Sequence, residues 1–224
     1  FRDWGTVDLF VMPYFRERTF AGRDGRLRGV LVVDTDAARY QSGAGKRHLD
    51  VAARWSKSLG NWDVGLSHFY GTNREPLLLL NNTASALLPF YETMHQTGVE
   101  LQYTSDAWLW KFETIRRDTD SDTFVALTGG FEYTFYNVFD SDIDVGLLTE
   151  YLFDDRHNAS VAAFENDLLV GTRLTWNDAQ SSELLVGVIQ DLSTQDSTFS
   201  IEASRRIGNR WKLSVEGRFF SVDD

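Results

Sequence analysis

The sequence predicts an all-β protein, a transmembrane antiparallel up-and-down β-barrel. Three observations predict it. Apolar and polar residues alternate with period two in eleven stretches. The connections between them alternate short and long. Tryptophans gather at the ends that carry the short connections.

The alternation is plainest in "DAWLWKFETIRRD", residues 106–118. On a helix, Trp108, Trp110 and Phe112 fan around the axis and form no apolar stripe. On a strand they share one face with Thr114, and Leu109, Lys111, Glu113 and Ile115 share the other. The same pattern predicts strands at 5–18, 47–59, 62–72, 95–104, 107–117, 123–136, 142–153, 166–177, 181–191, 197–206 and 210–221. Most are far longer than the about 5–6 residues usual in globular sheets. A tilted strand needs about 9–11 to cross a bilayer. Pro13 sits inside the first stretch, where a bulge or a displaced strand end is expected.

The short connections are "LGNW" (59–62), "TSDA" (104–107), "YNVFDSD" (136–142), "NDAQS" (177–181) and "IGNR" (207–210). Between them lie 19–46, 73–94 and 154–165, all long, and 118–122 and 192–196, more modest. Outer-membrane barrels have short periplasmic turns and longer outer loops.

Seven tryptophans occur, at 4, 55, 62, 108, 110, 176 and 211. Six sit within a few residues of a short turn or of the chain start, and Trp110 is one step further in. Amphipathic rings favour the headgroup level. Trp55, Trp62, Tyr103, Trp108, Trp110, Trp176 and Trp211 are therefore the expected lipid-facing girdle. Parity then sends Arg54, Glu100, Lys111, Glu113, Glu132, Glu150, Arg173, Glu202, Arg206, Lys212, Glu216 and Arg218 to the interior. A Lys or Arg facing lipid at mid-depth would cost about 2–4 kcal/mol. The stretch "ELLVGVIQ" (183–190) is apolar on both faces, so a plug or loop is expected against its inner side.

Composition narrows the alternatives. No apolar run is long enough for a transmembrane helix or a signal peptide. Cys is absent, which excludes disulfides and thiolate metal sites. A net charge of −11 argues against nucleic acid as a partner. Bacterial single-chain barrels have even strand numbers, whereas eleven strands are counted here. The expectation is one barrel domain over 1–224, part of a larger barrel and truncated at its C-terminus, with N-terminal truncation left open.

The stretches "FRDWGTVDLFVMPYFRERTF", "VDTDAARYQSGA", "HLDVAARWSKSLGNWDVGLSHFYGTNREP", "LQYTSDAWLWKFE" and "GGFEYTFYNVFDSDIDVGLLTEYLFDDR" carry a resemblance. The chain resembles the C-terminal half of an uncharacterised family of Gram-negative outer-membrane porin-like β-barrel proteins. The resemblance covers nearly the whole chain. It implies missing N-terminal strands and one missing C-terminal strand, and no particular chemistry.

Other constellations are weaker. Asp118, Asp120 and Asp122 have the first spacings of a calcium loop, but Thr123 and Gly129 stand where Gly and Glu are required. His48, His68 and His95 lie near loop ends of three strands and His157 lies in a loop; parity separates His48 from the other two, so no convergence is expected. Arg16, Arg18, Arg23, Arg26 and Arg28 crowd one loop. Of these, Arg18, Arg23, Arg26 and Arg28 are the candidates for contact with lipopolysaccharide phosphates. "EPLLLLNNTASALLPFY" (75–91) is too apolar for a free loop, and reads as a constriction or a packed cap.

The expected function is a passive outer-membrane channel for small polar solutes, with no catalytic residue, metal or cofactor. The alternatives are a non-conducting structural or lipopolysaccharide-contacting barrel, and an outer-membrane hydrolase. A soluble β-sandwich or lipocalin-like carrier is the minor fold alternative. Expected partners are outer-membrane lipid, lipopolysaccharide and small polar solutes, with homo-oligomerisation left open.

Overall fold

A computed structural model describes residues 4–26, 29–156 and 164–221 of the chain. Its strands are β1 (Thr6–Met12), β2 (Val32–Val33), β3 (Arg39–Tyr40), β4 (Asp50–Leu59), β5 (Trp62–Thr72), β6 (Leu77–Leu80), β7 (Ala86–Tyr91), β8 (Thr93–Ser105), β9 (Trp108–Asp118), β10 (Thr123–Phe135), β11 (Asp144–Asp154), β12 (Asn166–Thr175), β13 (Glu183–Asp191), β14 (Ser197–Ile207) and β15 (Trp211–Ser221).

Eleven of these form one antiparallel sheet in the order β1-β4-β5-β8-β9-β10-β11-β12-β13-β14-β15. They are the eleven stretches that alternate with period two. Neighbours in the sheet are neighbours in the chain apart from the β2–β3 and β6–β7 insertions. β1 and β15 are its edges, and no closed barrel forms among the described residues. The tight turns follow from local chemistry. In "IGNR" the turn needs a left-handed residue, and Gly208 supplies it at φ 59°.

Two expectations need correction. The first strand, expected over 5–18, stops at Met12, because Pro13 has no N–H to continue the ladder. The segments 19–46 and 73–94, expected as connections without strands (75–91 as a constriction or packed cap), hold a second sheet. In it β7 pairs in parallel with β2 and β3 and antiparallel with β6.

The chain divides into two compact units, and β4, β5, β8, β9 and β10 give residues to both. The first comprises Phe1–Ser56, Leu66–Gly98 and Arg116–Thr123. Its centre is aromatic: Phe15 and Tyr91 are buried, edge to face at 4.9 Å, and Tyr40 stacks on Tyr91 at 5.4 Å. Backbone bonds pin the segment after Pro13. Phe15 N–H donates to the Lys46 carbonyl at 2.8 Å, and Arg18 N–H to the Tyr91 hydroxyl at 3.0 Å.

A fully buried carboxylate, Asp50, sits beside this cluster. A buried charge is tolerated only when it is paired and hydrogen-bonded. Arg74 approaches one oxygen at 2.8 Å; His48 Nδ1 at 2.7 Å and the Thr72 amide at 2.9 Å hold the other. The Arg74 guanidinium also lies 4.6 Å over the Phe15 ring. Gly71 makes room for all this, since a Cβ there would lie 2.4 Å from Asp50 Cγ. A second ionic knot joins Glu17 to Lys46 at 2.7 Å and to the Tyr40 hydroxyl. Burial pushes the Glu17 carboxyl up, but the bonds from Lys46 and Tyr40 outweigh it and hold Glu17 below its ordinary 4.5. Burial and the Glu17 carboxylate push the Tyr40 hydroxyl up.

Gly71→Ala is expected to destabilise the protein by about 1–3 kcal/mol, the usual cost of overpacking, read from urea unfolding. The depressed Glu17 adds stability above its unfolded value of 4.5 and loses it as pH falls through the folded value. The stability difference between wild type and Glu17→Gln should therefore hold steady above about pH 6 and shrink steadily in acid.

Candidate functional site: a two-faced sheet

The second unit comprises Lys57–Gly65, Val99–Ile115 and Phe124–Asp224. Residues directly opposite across an antiparallel pair share a face. The register therefore sorts the side chains of β10 to β15 without ambiguity. One face carries rows such as Tyr133–Leu147–Thr172–Val186–Ile201–Gly217 and Phe131–Thr149–Val170–Val188–Phe199–Phe219. The other carries Thr134–Gly146–Arg173–Leu185–Glu202–Glu216 and Glu132–Leu148–Gly171–Gly187–Ser200–Arg218. Of the fourteen charged residues in these six strands, thirteen lie on the second face. The exception, Arg205, is two residues from the end of β14.

The apolar face is open. Val170 is 49% exposed and Leu147 46%. Among the described residues the buried hydrophobic side chains are Phe15, Tyr91, Met94 and Phe124, and the first three belong to the first unit. A water-soluble domain of this length hides far more of its apolar surface. The greasy residues here are displayed.

Aromatic rings pack along this face. Trp108 stacks on Trp110 at 5.5 Å, Trp108 meets Tyr133 at 4.6 Å, and Trp110 meets Phe131 at 4.8 Å. These contacts place both tryptophans with the apolar rows, as parity expects. Trp62 and Tyr103 pack at 4.8 Å, and with Trp110, Phe112, Phe131 and Tyr151 they line a hollow of about 670 Å³. Trp176 lines another with Leu184, Ala203, Leu213 and Val215. Trp211 is opposite Ile207 and is strongly exposed. In the first unit, Trp55 is opposite Val7 and its indole N–H donates to the Trp4 carbonyl at 2.7 Å.

The charged face holds a hollow between β12 and β15. Arg173, Glu183, Leu185, Glu202, Lys212 and Glu216 surround a hollow of about 440 Å³. The register thus brings together Arg173, Glu202, Lys212 and Glu216, which the sequence singled out. Arg173 Nε donates to Glu132 at 3.2 Å, and Arg218 pairs with Glu216 at 2.6 Å. Glu150 is opposite Gly130, and Arg206 is opposite Lys212, on the same face. Glu100 is half-buried on β8, while Lys111 and Glu113 are exposed on β9. Arg54, in the first unit, is opposite Asp8.

Asp144, Asp154, Asp167, Glu183 and Asp191 also belong to the charged face and went unnoticed in the sequence. Counting in steps of two from Glu150, Arg173 or Glu202 along paired strands would have found them. The Asp50 centre had no such signal, because its partners come from 48, 72 and 74.

The remaining constellations resolve individually. Arg18 is tied to Tyr91 and lies over Phe20; Arg23 and Arg26 are exposed in their loop; Arg28 and His157 lie outside the described residues. Asp118 accepts from Arg116 and Thr123, and Asp120 from Gln41. The "LLLL" of β6 is exposed, whereas Pro89 and Tyr91 of β7 are buried, so only the second half of 75–91 is packed. His68 and His95, which parity puts on one face, have rings 5.7 Å apart; His48, which parity puts on the other, still meets the row through Tyr70, which lies against both His95 and His48.

No family model, curated protein or solved structure matches the chain.

If the apolar rows face lipid, Val186→Arg is expected to cost about 2–4 kcal/mol in lipid vesicles, whereas Ser200→Arg, on the charged face, should stay within about 0.5 kcal/mol. Equilibrium unfolding of the two variants side by side checks this.

Proposed function

We propose that the chain is part of an outer-membrane β-barrel that works as a passive, porin-like channel for small polar solutes. The observation that carries the reading is the sorting of thirteen of fourteen charged residues onto one face of β10 to β15. An exposed apolar face suits lipid, and a charged face suits water. The aromatic rows suit the headgroup level, and the strand lengths suit a bilayer crossing. The resemblance to porin-like outer-membrane proteins points the same way. In this reading the sheet closes through further strands beside β1 and β15. Outer-membrane lipid and lipopolysaccharide surround it, and the exposed Arg23 and Arg26 reach lipid phosphates.

Such a channel needs no reacting group. Solutes diffuse along the charged face, and its fixed charges select among them. That face carries nine acidic and four basic side chains in β10 to β15. A negative lining raises the local concentration of cations and lowers that of anions. A second reading, a barrel that does not conduct, draws on the Arg173–Glu132 pair, since interior charges that neutralise one another can fill a small lumen.

Single-channel recording on the full-length protein in planar bilayers tests the proposal. Discrete conductance steps with a reversal potential favouring cations are expected, and Glu202→Lys with Glu216→Lys should move that potential towards anions. A folded, heat-modifiable protein that passes no current would favour the second reading.

A further inference from the structure

Four rings form a row in the first unit: His48, Tyr70, His95 and His68, at centroid separations of 5.7, 4.7 and 5.7 Å. His48 is committed, with its Nδ1 on Asp50 at 2.7 Å. His68 and His95 are different. They lie on the neighbouring strands β5 and β8, and both are exposed. Cross-strand register sets the two imidazoles side by side, 5.7 Å apart, where a single ion can bridge them.

We infer that His68 and His95 form a two-imidazole site for a divalent transition-metal cation of the zinc type. Neutral imidazole suits such ions and does not suit magnesium or calcium. Zinc binds imidazole nitrogen at about 2.0–2.1 Å, so two rings on a tetrahedral or slightly wider ion have centres about 5–6 Å apart. The observed separation is 5.7 Å with a tilt of 37°. A square-planar ion with the rings side by side would need them about 4.5 Å apart.

The surroundings also suit a ligand pair. Metal-bound histidines usually engage their second ring nitrogen with a neighbour, which fixes the tautomer and the ring. Thr97 Oγ1 lies 2.9 Å from His68 Nδ1, which leaves Nε2 for the metal. Tyr70 packs on His95 at 4.7 Å and holds that ring. Asp118, the charged neighbour of His95, is engaged with Arg116. No third His, Cys, Asp or Glu joins the two rings in a metal-holding group among the described residues. The remaining positions on the ion therefore fall to water or to an external oxygen donor. A bound ion would tie β5 to β8 and stabilise the folded state by linkage.

The test is calorimetric titration of the refolded full chain with zinc, with magnesium as a parallel titrant. One zinc per chain is expected, with a rise in melting temperature and no response to magnesium. His68→Ala and His95→Ala should each weaken zinc binding at least about tenfold and abolish the thermal shift. Thr97→Val, which leaves both ligands in place, should weaken it about tenfold. His48→Gln should still bind. Zinc binding that is absent, or unchanged in His68→Ala or His95→Ala, would overturn the inference. None of these readouts depends on whether the protein conducts.

Discussion

Every feature of the large sheet depends on one constraint, the two-residue repeat of an extended strand. Successive side chains must point to opposite faces, and antiparallel register locks each face to that of the next strand. A slip of one residue at any pair would throw that strand's charges among the apolar rows. Each misplaced Lys or Arg at mid-depth would then cost about 2–4 kcal/mol in lipid. With Glu132, Glu150, Arg173, Glu202 and Glu216 all on one side, the penalties for slippage accumulate strand by strand. In the proposed barrel, the charge pattern that would line the lumen therefore also specifies the register.

The first unit follows a different logic. Its core is small, and it is organised by ionic and aromatic contacts around Asp50, Phe15 and Tyr91. Arg74 serves both halves, by pairing with Asp50 and covering Phe15. A buried carboxylate with several donors fixes one arrangement of the chain, because any other leaves a charge unpaired. Long segments that would otherwise be free are thereby held in one place, at 13–20 and at 86–92.

The large sheet was legible because its signal is local. "WLWKF" and "WKLSVEGRF" state their faces within a few residues, and the eleven strands follow. Most end within two residues of where the alternation ends. The first strand was misjudged because alternation continued past Pro13, where the backbone has no donor. The small sheet was not legible, since β2 and β3 have two residues each and pair in parallel with a distant strand. The Asp50 centre and the His68–His95 pair depend on contacts between strands, which spacing along one strand does not reveal.

The central claim is that the sheet has a wet face and a lipid face. The chain has no cysteine, so single cysteines report one position each. Ser200→Cys, Ser214→Cys, Val186→Cys and Ile201→Cys, reconstituted in lipid vesicles, should be treated with a water-soluble maleimide. The account predicts fast labelling at 200 and 214, and little or none at 186 and 201 until the membrane is dissolved and the protein unfolded. Equal labelling at all four positions would contradict it, because the apolar rows would then face water.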